Sequence, residues 1–269
     1  MSINRLRQIL QSQLELRIDS SDATVLRIQA QITKRQTKLA AKNKPLIPTK
    51  QPQVINALQQ TNELTIRPVD LLRKIGDLTT PAFANMARYS ASWATRRYFW
   101  AIEPGNGPFR LSTDARQLDF HQKTLLSDEF GIGMGGLVME RLFQTTAFAD
   151  MSAALADPTI GVFQEGDPEP DYLMWCSDPQ LPYFVVECKG CQSNRYSAMD
   201  QLRRGMEQVP TIKFANSDRQ VISVVIATVM EADSTTVFVI DPPDDQMPDR
   251  KFKGETVSER VSQREWKIP

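Results

Sequence analysis

The sequence predicts an α/β protein, in which a mixed sheet flanked by helices occupies the second half of the chain behind a mainly helical first half. Three observations carry this. From residue 130 the apolar pattern changes from three- and four-residue steps to short alternating or continuous apolar runs bounded by Pro, Gly and Asp. With 269 residues and 41% hydrophobic residues, the chain can bury a substantial core. Its net charge of zero is the sum of two unlike halves. Residues 1–130 hold 19 Lys and Arg against 11 Asp and Glu, net +8, and residues 131–269 hold 13 against 21, net −8. A basic half attracts polyanions, and an acidic half can gather the carboxylates that hold a divalent cation.

Membrane and secreted classes fit poorly. No run approaches the ~20 apolar residues that cross a bilayer, and residues 1–30 mix Arg, Gln and Asp among the apolar ones. Three cysteines, Cys176, Cys188 and Cys191, make no disulfide framework, so the expected compartment is the reducing cytoplasm.

In chain order, Ile3 to Ile32 places Leu6, Ile9, Leu10, Leu14, Ile18, Val25, Ile28 and Ile32 at helical spacing. This predicts an amphipathic helix, broken near Ser20-Ser21-Asp22, where capping residues cluster. The basic stretch KRQTKLAAKNKPLIPTK (34–50) reads as a helix end and linker, either contacting phosphates or simply solvated, and closes a first segment at residue 50. Residues 51–129 read as a mainly helical region, helical over 51–105 with joints at Pro68, Pro81 and Pro104 and a loop at 105–108. They carry Arg88, Tyr89, Trp93, Arg96, Arg97, Tyr98, Phe99 and Trp100, a mixture that suits nucleic acid and equally suits a packed helix with snorkelling arginines.

The third segment, 130–245, should hold the chemistry. Residues 136–146 read as a helix bearing Glu140; 159–164, 171–175 and 183–189 read as strands; 196–209 reads as a helix closed by Pro210. The apolar runs 221–230 and 235–240 read as strands buried on both faces. A polar tail, 246–269, follows, with Trp266 as an anchor.

Within YFVVECK the side chains of Val185, Glu187 and Lys189 share one face, and those of Phe184, Val186 and Cys188 share the other. Burying a carboxylate and an ammonium is costly unless they are paired or bind an ion. Asp171 follows Pro170 at the start of the preceding strand, and an antiparallel hairpin brings it beside Glu187 and Lys189. Two neighbouring carboxylates repel unless a cation sits between them, and Mg²⁺ takes one or two carboxylates with waters and a phosphate oxygen. Lys189 then orients the attacking water or offsets developing charge. The residues together suit phosphodiester hydrolysis.

Pro170-Asp171 on one strand and Glu187-Cys188-Lys189 on the next resemble the PD-(D/E)XK motif of restriction-endonuclease-like nucleases, and the element order over about 130–240 resembles their αβββαβ core. The resemblance implies metal ligation by Asp171 and Glu187, assistance to water by Lys189, a further carboxylate from Glu140, and auxiliary roles for Gln192 and Gln201. The tyrosine that follows the glutamine in the RecB-like subgroup is missing. It also implies a Mg²⁺- or Mn²⁺-dependent nuclease acting on DNA, with RNA as an alternative, in restriction or anti-phage defence. The front half would bind DNA, a partner protein or a second copy. The same fold could instead serve as a non-catalytic binding or assembly subunit.

Two other patterns stand in the sequence. Gly131, Gly133 and Gly136 spell G-x-G-x-x-G, but no strand of the required kind precedes them, so they read as a turned start to the Glu140 helix, one that could still approach a phosphate. Cys188-x-x-Cys191, Cys176 and the single His121 lack the paired spacing of a zinc site and read as core or loop residues.

Overall fold

In a computed structural model the described residues are 3–47, 49, 51–55, 58, 61–80, 90–178, 182–215 and 221–241. The predicted tail and the calls on Arg88 and Tyr89 lie outside them. The described chain is α/β, with one large mixed sheet flanked by helices on both faces.

The first segment is where the structure departs most from the expected helix. It folds as α1 (Ile3–Gln11), β1 (Gln13–Asp19) and α2 (Asp22–Ala40). Leu14 and Ile18 fit a helical step, but with Leu16 they also form a period-two set, and all three are buried on one side of β1. Ser21 caps α2, its hydroxyl accepting the Thr24 N–H.

The second segment contains β2 (Glu63–Ile66), α3 (Pro68–Thr79), with Pro68 in its first turn, and α4 (Ser90–Tyr98), then β3 (Asn106–Pro108) and α5 (Thr113–Arg116). It is therefore less helical than expected. The long helix α6 (Phe120–Leu142) starts sixteen residues before the expected position, and all three glycines of G-x-G-x-x-G lie inside it. It is followed by β4 (Ala147–Asp150), α7 (Met151–Ala156), β5 (Val162–Gln164), β6 (Tyr172–Trp175) and β7 (Tyr183–Cys191). The chain continues with α8 (Arg195–Gln208), β8 (Ile212–Phe214), β9 (Val221–Met230) and β10 (Thr235–Ile240).

The sheet runs β2-β1-β10-β9-β7-β6-β4, with β3 also pairing β1. Strands β4, β6 and β7 are successively antiparallel, whereas β9 is parallel to β7 along all of it. The predicted strand at 159–164 is not part of this sheet: β5 pairs with β8 in a separate two-stranded ribbon, and β4, unforeseen, takes its place. β1 lies between β10 and β2, so the segment ending at residue 50 and the segment from 130 share one sheet.

Valine- and isoleucine-rich β9 and β10 are buried on both faces. On one face Val186, Cys188, Val224 and Ile226 pack with α3 and α6; on the other Val185, Val225 and Ala227 pack with α2 and α8. Helix α6 keeps four glycines, each costing about 1 kcal/mol of helix propensity relative to Ala, because two elements press against it. A Cβ at Gly131 would lie 2.6 Å from the Gly190 nitrogen, and one at Gly135 would lie 2.6 Å from Cys188 Sγ. Gly133 and Gly136 meet Ile75 and Leu78 of α3 instead. Among the described residues no helix is long and apolar enough to cross a membrane.

Candidate active site

Strand β7 outruns its partner. Its register with β6 covers Tyr183 to Val186 only, while its pairing with β9 continues to Cys191. From Glu187 onward the β6-side edge of β7 faces no described strand, and Asp171, just before β6, closes the start of this notch. The Asp171 N–H donates to Glu187 Oε2 (3.1 Å), and the Cys188 N–H donates to Asp171 Oδ2 (2.8 Å). Lys189 Nζ is ion-paired with Glu187 Oε1 and stands 4.0 Å from Asp171 Oδ2. These three predicted residues are therefore brought together.

Glu187 has no exposed surface, whereas the Asp171 and Lys189 side chains are each 28% exposed and open the group to solvent. Burial and then the Asp171 charge push Glu187 up to about 8, against the opposing pull of Lys189. Asp171 is also raised, by burial first, with Lys189 and the Cys188 N–H opposing. Burial alone would lower Lys189, but Asp171 and Glu187 outweigh it and its ammonium form is favoured.

Glu140 is not with them. It bonds Lys74 of α3 at 2.5 Å, on the same side of α6 as Gly133 and Gly136. The opposite side, with Ser127, Gly131 and Gly135, faces β7, and there the acid is Asp128. Burial raises Asp128, while Lys189 lowers it and Asp171 raises it further, so its carboxylate lies in the field of the site. Twelve residues of helix separate the two acids, about 18 Å along the axis, so one site cannot hold both. Asp128 was missed because the helix bearing Glu140 was expected to begin only at Gly136; continuing the helical period backwards from Gly135 through Gly131 puts it on the β7 face. Glu169 is raised by burial and by the charges of Asp150 and Asp171, so these acids also border the notch.

The two glutamines brace the strand end. Gln192 donates to the Lys123 carbonyl and to Ser127 Oγ, tying the end of β7 to α6. Gln201 donates to the Gly190 carbonyl (3.1 Å), and its Oε1 is buried without a hydrogen-bond partner among the described residues. Among the described residues of the aromatic and arginine group, Tyr98 and Phe99 are buried and Trp93 and Trp100 half-buried, whereas Arg96 and Arg97 are exposed, the Arg97 guanidinium lying over the Trp93 and Tyr98 rings. Cys176 donates to the Phe143 carbonyl, and Cys188 faces Gly135 on the other side of the sheet from Glu187.

Two adjacent carboxylates, both held above their ordinary range, are relieved by a divalent cation, and an all-oxygen pair suits Mg²⁺ or Mn²⁺. Among the described residues no three His, Cys, Asp or Glu side chains form a ready-made cage, so remaining ligand positions would fall to water and substrate oxygens. Set against protein families, curated proteins and solved structures, the chain matches no family model, no curated protein and no solved structure.

Proposed function

We propose that this protein is a Mg²⁺- or Mn²⁺-dependent nuclease of the PD-(D/E)XK type that hydrolyses phosphodiester bonds of DNA. The observation that carries the reading is the convergence of Asp171, Glu187 and Lys189 where β7 loses its β6 neighbour. The element order supports it: helix α6, antiparallel β4, β6 and β7, helix α8 and parallel β9 follow the αβββαβ sequence that the motif implies. An endonuclease role in restriction or anti-phage defence is the biological setting proposed with it, by analogy of fold.

Asp171 and Glu187 would hold the metal, which supplies a water made nucleophilic at neutral pH and a Lewis acid for the phosphoryl oxygen. Asp171 is itself fixed, since its Oδ2 accepts the Cys188 N–H and its own N–H is spent on Glu187. Lys189 enters as a cation at the solvent-reaching side of the pair, placed to orient the attacking water and to offset charge developing on the phosphate. A cation held there would take the place of the proton that burial and Asp171 favour on Glu187.

A second reading has one observation in its favour: Lys189 already pairs with buried Glu187, so the two could serve structure alone in a non-catalytic binding or assembly subunit. Incubation with supercoiled plasmid, single-stranded DNA and RNA, with Mg²⁺, Mn²⁺ or EDTA, decides between them. Metal-dependent cleavage that falls roughly 100-fold or more in Lys189→Ala and in Asp171→Ala is expected. Cutting that survives both substitutions rules out this active site, and metal-independent binding without cutting favours the second reading.

A further inference from the structure

The end of the sheet where Lys189 emerges carries features that the cleavage chemistry does not use. Helix α6 runs antiparallel to β7, because Gly135 packs at Cys188, Gly131 at Gly190, and Gln192 reaches the Lys123 carbonyl. Its first residue, Phe120, therefore projects beyond the C-terminal end of β7. Helix α8 starts at the same end on the opposite face, three residues after Gln192, with Tyr196 in its first turn. Both aromatic side chains lie in solvent, Phe120 at 87% exposure and Tyr196 at 71%. One exposed aromatic is ordinary, but two at the same end of the sheet, one on the helix covering each face, offer stacking surfaces to successive bases. From Lys189 to Gln192 the strand spans only about 10 Å, so both rings stand within a few nucleotides of the candidate centre.

The topology brings a third element to this end. β1 runs parallel to β10, β10 antiparallel to β9, and β9 parallel to β7, so β1 is antiparallel to β7 and Asp19 stands level with Lys189. Helix α2 then returns over the α8 face, where Ile28 and Ile32 share a core with Cys191 and Ala198. Twelve residues of helix carry the chain from Asp22 to Lys34, about 18 Å towards and past the end of β7. Lys34, Arg35 and Lys38 thus lie in the second half of a helix that packs on α8, the helix bearing Tyr196, and Lys42 follows just after it. Over residues 31–44 this stretch holds no acidic residue. The acid nearest Phe120, Asp119, is turned into its own helix, accepting the Gln122 N–H.

We propose that the protein takes an unpaired nucleic-acid strand, its bases stacking on Phe120 and Tyr196 and its phosphates following the basic end of α2. This deepens the nuclease reading and rests on it for what happens at Lys189. A duplex hides its base faces and cannot use the two rings, whereas an unpaired strand offers a face to each and a flexible backbone to the lysines.

The test separates binding from cutting. Anisotropy of a labelled single strand and of a duplex of equal length is measured with Lys189→Ala protein in EDTA, so that no cleavage is involved. The single strand should bind at least about 10-fold tighter, and Phe120→Ala and Tyr196→Ala should each weaken it roughly 5- to 100-fold, while Phe120→Trp retains binding. Replacing Lys34, Lys38 and Lys42 by Gln should lower affinity for any strand and flatten its dependence on salt. Equal affinity for the two substrates, or indifference to both ring deletions, overturns the proposal even where the wild type cuts DNA. If the ring deletions instead abolish self-association, the pair belongs to a contact between copies and the proposal also fails. Strand binding that depends on the rings, in a protein that cuts nothing with any metal, sustains this proposal and removes the nuclease reading.

Discussion

Glu187, a carboxylate with no exposed surface, is held by one lysine, one backbone N–H and, in the metal-free protein, a proton. Its folded pKa of about 8 stands above its ordinary value of 4.5, so between those values the folded protein binds a proton that the unfolded chain releases. The stability this supplies is complete below about pH 4.5 and is lost as pH rises through about 8; raised Asp171 acts in the same direction. The urea midpoint of metal-free protein should therefore fall from pH 5 to pH 8. Glu187→Gln should flatten that slope, and added Mg²⁺ should raise the midpoint more at pH 8 than at pH 6. A midpoint that climbs over this interval contradicts the burial described. A second comparison separates the two acids of α6. Asp128→Asn should lower the cleavage rate, whereas Glu140→Gln should leave it within about twofold and cost about 1 kcal/mol or less, as for a half-exposed ion pair. Asp171, Glu187 and Lys189 were legible because the two-residue period of a strand fixes faces without knowledge of the rest of the fold. Which acid of α6 accompanies them depends on where the helix starts and which side meets the sheet. Glycines that look like breakers concealed both.

At the scale of elements, α6 and β7 meet backbone to backbone at Gly131 and Gly190. A Cβ on Gly190 would run into the Ser127 carbonyl oxygen, a backbone atom that cannot turn aside. Gly190→Ala should therefore destabilise the protein by roughly 1–3 kcal/mol, the range of an overpacked core. It should also lower activity by moving Lys189, the residue before it. Equilibrium unfolding read beside cleavage checks both. The same contact explains an error of sequence reading: local propensity counts four glycines against a helix, and only the facing strand gives them a use. β1 was hidden differently. Leu14 and Ile18 satisfy both a four-residue step and a two-residue alternation, and flanking helices drew the choice the wrong way. β4 was passed over because four residues carry too little pattern, and 159–164 was preferred for its β-branched residues although its partner is β8.

For the whole molecule, the position of β1 decides what can fold alone. The sequence suggested a nuclease unit over 130–245 behind separable front segments. In the structure Arg17, Ile18 and Asp19 pair with Thr236, Val237 and Phe238, so removing the front leaves that edge of β10 unpaired. It also strips Val25, Ile28 and Ile32 from the core they share with Leu202, Val225 and Phe238, and α3 from the α6 face bearing Gly133 and Gly136. Each buried Ile or Val side chain contributes about 1.5–3 kcal/mol, so three such losses already approach the net stability of an ordinary domain. A fragment of residues 130–245 should consequently show no cooperative urea transition and no metal-dependent cleavage, although it contains Asp128's partners Asp171 and Lys189 and the whole Glu187 strand. Circular dichroism in a urea series, run beside the full chain, measures this. A fragment that unfolds cooperatively would mean that β1 and α2 are appended to a core complete without them. A featureless transition would mean that the basic front of the chain is built into the sheet that holds the acids, so binding surface and candidate centre stand or fall together.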